Sequence, residues 1–147
     1  MIEARRYLSE VKTRLATSNA ITVVEVVTEQ DSRDRGYFRA RLVLANGDFL
    51  EVSEYFIVKA GKPSTAEYRY QWMDPTQQRL VRRWDNAGHF PDLPHFPHHV
   101  HVGDEEQVVP GRALSILDLV DLIEQKLGVG QRTVDRSFSL AAIKRHV

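Results

Sequence analysis

Five of the chain's six histidines and three of its six prolines lie between His89 and His101, inside "HFPDLPHFPHHVHVGDE". Imidazole is the side chain whose ordinary pKa lets it both give and take a proton near neutral pH, and in its neutral form it binds metal ions. If "FPHHVHVG" is extended, Phe96, His98, Val100 and Val102 face one way and His99 and His101 the other, about 7 Å apart by strand rise. A pair spaced like this suits two chemistries. One ring can take a proton from a nucleophile such as a ribose 2′-hydroxyl while the other protonates the leaving oxygen, with Arg82 or Arg83 stabilising charge on a phosphate. Alternatively, His99 and His101 can share a divalent metal with His89, His95 or Asp85, leaving a position for water. A histidine in a proline-rich connection can also be no more than a hydrogen-bonding turn residue, so these readings stay open together.

The elements that must position these rings are visible in the pattern. Residues 2–18 read as an amphipathic helix with Ala4, Leu8, Val11 and Leu15 on one stripe and Asn19 as a stop. Five strand signals follow, at 20–29, 36–45, 48–58, 66–73 and 79–85, which predicts an antiparallel meander. The turn at Ala45-Asn46-Gly47 is best read as a three-residue loop with Gly47 left-handed, because that register sets Leu42 opposite Leu50 and Ala40 opposite Val52. Phe38, Ala40, Leu42, Leu44, Leu50, Val52, Phe56 and Val58 then share the buried face, while Arg39, Arg41, Glu51 and Ser53 share the open one. Continued alternation sends Tyr68, Tyr70, Trp72, Leu80 and Trp84 to one side and Glu67, Arg69, Gln71, Arg79 and Arg83 to the other. Core burial is the simpler role for the aromatic set, although tyrosine and tryptophan faces also stack nucleobases. The arginines could track a phosphate backbone or form ion pairs such as Arg41 with Glu51.

A second helix is predicted over 116–127, with Ser115 as N-cap, Asp118 in the capping-box position, Leu114 and Leu119 as a staple and Gly128 as the stop. Between the last strand and that helix lies a long His/Pro-rich loop, 86–110, whose Phe90, Leu93, Phe96, Val100 and Val102 argue that it packs. The expected fold is therefore α+β: about five meandering strands with an N-terminal and a C-terminal helix, as one domain over 1–147. Residues 128–147 are a tail or docking segment, with "SLAAIKRH" able to form a short helix.

Twenty Lys/Arg balance twenty Asp/Glu, so net charge names no partner. Without cysteine there is no disulfide, thiol nucleophile or Cys-ligated zinc. The charged N-terminus lacks a signal-peptide core, and no apolar run approaches the roughly 18 residues of a membrane span, so a cytoplasmic address and no membrane partner are expected.

"YRYQW" (68–72) followed by "RRWDNAGHFPDLPHFPHHVHVGDE" (82–105) and a capped helix resembles the TumE family of toxin–antitoxin systems, most specifically in "WDNA" and "FPHHVHVG". Gly88, His89 and Phe90 depart from it, standing where a proline and two histidines are usual. His95 also departs, standing where a small polar residue is commoner. The matched positions add His98 and Asp85 to the catalytic candidates and Trp84 and Asn86 to the substrate-binding ones. The resemblance implies a small bacterial or archaeal toxin whose partner is an antitoxin with a helix-turn-helix domain. RNA as its target is an analogy with other small toxins, joined to the histidine chemistry. That expectation needs no cofactor; the metal-dependent hydrolase is its alternative. A third reading is a non-catalytic module offering the His/Pro loop to a protein partner.

Overall fold

The computed structural model describes residues 2–103, 107–130 and 143–145. Helix α1 (Ile2–Thr17) buries Ala4, Leu8, Val11 and Leu15, the stripe expected from their spacing. Five strands follow: β1 (Ile21–Ser32), β2 (Arg35–Leu44), β3 (Phe49–Lys59), β4 (Lys62–Met73) and β5 (Leu80–Asp85). Each pairs antiparallel with the next.

The β2–β3 register sets Leu42 opposite Leu50 and Ala40 opposite Val52, with Gly47 at φ 92°, as the three-residue loop requires. Even-numbered positions of β2 to β5 form the buried face, including Phe38, Leu42, Leu50, Tyr70, Trp72 and Trp84. Both tryptophans stack against one another inside the core, which leaves their faces no room for a base.

The expectation of about five strands falls short, and the connection after β5 is shorter than 86–110. Two further strands, β6 (His99–Val102) and β7 (Gln107–Pro110), extend the antiparallel sheet beyond β5. Each is only four residues long, too short for alternation to announce against the prolines before it. A short strand β8 (Ile143–Arg145) pairs parallel with β1 at the other edge, giving the order β7-β6-β5-β4-β3-β2-β1-β8. Of the two readings of this tail, a short helix or a docking segment, residues 143–145 follow the second, as a strand laid against β1; residues 131–142, 146 and 147 lie outside those described.

Helix α2 (Ile116–Leu127) has the expected ends. The Ser115 hydroxyl accepts from the Asp118 N–H, the Asp118 carboxylate accepts from the Ser115 N–H, and Gly128 closes the helix in a left-handed conformation. Both helices cover the even-numbered face. Arg14 of α1 joins them through Glu124 and Asp121 of α2, at 2.7 Å to each. Beneath them Glu54 of β3, 1% exposed, accepts hydrogen bonds from the Tyr7 hydroxyl, the Thr65 hydroxyl and the Ile116 N–H. Among the described residues no helix is long and apolar enough to cross a membrane.

Gly36 lets β2 press against the ring of Phe56. A Cβ there would stand 2.5 Å from Phe56 Cζ and 2.8 Å from the Gln30 carbonyl oxygen. Because Phe56 is fully buried and cannot withdraw, Gly36→Ala is expected to cost about 1–3 kcal/mol or more, read as a lowered denaturant midpoint.

Candidate functional site

Strands β4, β5 and β6 bring odd-numbered residues into rows on the face away from the helices. Arg69 pairs across to Asp85, which pairs to His99; Gln71 pairs to Arg83, which pairs to His101. The expectation that His99 and His101 share a face follows from this register. Their ring centroids are 4.9 Å apart, nearer than strand rise alone suggests.

The contacts constrain the protons. His99 Nδ1 lies 2.9 Å from the Pro97 carbonyl oxygen, which can only accept, so Nδ1 carries a hydrogen. His101 Nε2 lies 3.1 Å from Arg83 Nη2, which can only donate, so that nitrogen presents a lone pair. Asp85 sits between the rings. Its Oδ1 is 2.9 Å from His99 Nε2 and accepts from the Ala87 N–H, while its Oδ2 accepts from Arg83 Nε at 3.3 Å. His101 Nε2 stands 3.7 Å from the same Oδ2. The buried carboxylate is thus held by one guanidinium and one backbone N–H, which offset its desolvation.

His99 Nε2 satisfies the distance to Asp85 but has no hydrogen-bond partner among the described residues.

Both rings are shut away from solvent. His99 is 1% and His101 7% exposed, because Phe90 folds its ring edge-to-face over both, with centroids 5.3 Å and 6.0 Å away. Phe90 itself is 41% exposed and holds a positive φ of 61°. Beside the cluster opens a cavity of about 750 Å³. Tyr37, Tyr55, Arg69, Arg83, Asp85 and His89 are among its walls.

Other candidates lie apart from this cluster. His98 points to the opposite face, where Nδ1 meets the Tyr68 hydroxyl at 3.0 Å; burial, then the charges of His95 and His99, lower its pKa. Arg82 shares that opposite face, in register with Trp72 and Val102; burial, then the charge of Arg82, lowers the pKa of Lys126. Trp84 is core. Asn86 acts as a piece of backbone, its amide donating to the Ala66 carbonyl and accepting from the Tyr68 N–H at the bulge of β4. His89 lines the cavity and His95 is exposed, so neither joins the paired rings. The role of Arg69 was open to sequence reasoning, since the odd-numbered alternation of β4 already aims it at the row of Asp85. The Phe90 cover and the Pro97 carbonyl contact were not, because both depend on how an irregular segment folds back.

The family model described as Toxin TumE matches residues 11–127. No curated protein and no solved structure matches the chain.

Proposed function

The chain belongs to the TumE toxin family, and from that premise we propose that it is the toxin of a prokaryotic toxin–antitoxin pair and acts by cutting RNA. The observation that carries the reading is the meeting of two imidazoles, a carboxylate and a guanidinium in one buried cluster beside a cavity large enough for a nucleotide.

In this reading His101 Nε2, kept as a lone pair, takes the proton of a ribose 2′-hydroxyl as its oxygen attacks the adjacent phosphorus. His99, protonated on both nitrogens, gives its Nε2 proton to the departing 5′-oxygen. Asp85 steadies that imidazolium. Arg83 exchanges its contact with His101 for the phosphate, and Arg69, whose guanidinium donates to the neutral Gln71 amide, adds charge from the next strand. RNA reaches the rings through the cavity once the segment bearing Phe90 lifts. The partner is an antitoxin with a helix-turn-helix domain, encoded beside the toxin.

Purified wild-type protein is expected to cleave single-stranded RNA and, expressed alone, to arrest growth. The His99→Ala/His101→Ala double variant should do neither while keeping the wild-type circular dichroism. Unchanged toxicity in a folded double variant removes the catalytic role.

A further inference from the structure

Proton transfer alone leaves one atom of the cluster without a partner. In neutral His99 the hydrogen belongs to Nδ1, on the Pro97 carbonyl, so Nε2 is a lone pair, fully buried and 2.9 Å from a carboxylate oxygen. Two electron-rich atoms held this close repel unless a cation stands near both. A proton on Nε2 is one such cation, yet among the described residues Nε2 makes no hydrogen bond, to Asp85 or to any other.

A metal ion is the other. The donor atoms of Asp85, His99 and His101 lie within 4.8 Å of one another, and all three residues are buried. An ion bonded at about 2.1 Å to each, in tetrahedral fashion, needs them about 3.4 Å apart, so the widest pair must close by up to about 1.4 Å while His99 Nε2 and Asp85 Oδ1, now 2.9 Å apart, open by about 0.5 Å. The Nδ1–H to carbonyl contact of His99 is the arrangement by which proteins fix an imidazole so that its other nitrogen can ligate. Two imidazoles and one carboxylate select ions of the zinc and nickel class over magnesium or calcium. The opposing charge is Arg83, whose Nη2 and Nε reach His101 and Asp85; it also lines the cavity, into which it can swing.

The geometry points to a divalent transition-metal site formed by His99 Nε2, His101 Nε2 and the Asp85 carboxylate, in which the ion displaces Arg83 and blocks the cluster's proton transfer. Only the blocking rests on the function proposed above; the binding does not.

The test uses the full chain, purified without an affinity tag and stripped with chelator. Calorimetric titration with Zn²⁺, followed by elemental analysis after gel filtration, is expected to give one ion per chain, with Mg²⁺ giving none. His99→Ala and Asp85→Asn should each weaken Zn²⁺ binding by at least about tenfold. Arg83→Gln, which removes the competing charge, should strengthen it, and His95→Ala should leave it unchanged. Absence of a stoichiometric ion in the wild type overturns the site, as does equal affinity in a folded His99→Ala/His101→Ala protein. If those variants do not fold, the wild-type stoichiometry and the Arg83→Gln comparison still decide. In the RNA arm, cleavage should fall in proportion to zinc occupancy. Activation by zinc would leave the site standing but overturn both the blocking and the proton-transfer mechanism, whereas cleavage that stays intact in excess zinc, with no ion retained after gel filtration, overturns the site alone.

Discussion

Replacing His101 with alanine is expected to lower the rate of RNA cleavage by about 10²–10⁴-fold, the usual contribution of one positioned acid–base group. The size follows from how this ring is held. Arg83 keeps a hydrogen off Nε2, so the nitrogen is ready to accept one, and Asp85 lies within 3.7 Å. Once His101 is gone, water must take the proton, with no such placement. Because the two histidines serve a single reaction event, the double variant should be little slower than His101→Ala alone. His98→Ala is the control: its ring lies on the other side of the sheet against Tyr68, so it should retain cleavage within severalfold. Single-turnover rates on a short RNA separate these outcomes. An equal loss in folded His98→Ala protein would mean that the fold, rather than proton transfer, sets the rate.

The largest effect on stability is expected from Glu54→Ala. The carboxylate gathers donors from three elements: Tyr7 of α1, Thr65 of β4 and the Ile116 N–H that opens α2. Its loss leaves buried donors unsatisfied at about 1–3 kcal/mol each, so roughly 3–5 kcal/mol in all is expected, or a fall in Tm on the order of 10 °C. Burial is the main cause that raises the Glu54 pKa above its ordinary 4.5, and its three donors oppose it. The folded chain therefore holds the proton longer than the unfolded chain does. The residue's contribution is greatest below about pH 4.5 and shrinks as pH rises through the folded value, so the variant's penalty should be larger in acid than at neutrality. Urea titrations at several pH values measure both the size and the sign.

Glu54 also illustrates where sequence reading stops. The alternation Val52, Glu54, Phe56 sets a charged residue on the buried face, a visible anomaly, but its partners come from an N-terminal helix and a helix start 62 residues away. The β2–β3 register, the faces of β4 and β5 and the ends of α2 were legible because each rests on local periodicity or capping chemistry. The common side of His99 and His101 was legible for the same reason. Strands β6 and β7 were hidden by their brevity. The burial of both rings was hidden because Phe90 reaches them through a backbone turn that alternation does not encode.

The pairing of β5 with β6 ties the reactive groups to the parity of the numbering: odd positions carry Arg83, Asp85, His99 and His101, even ones Trp84 and Val100. Inserting or deleting one residue within either strand would therefore trade chemistry for packing at a stroke.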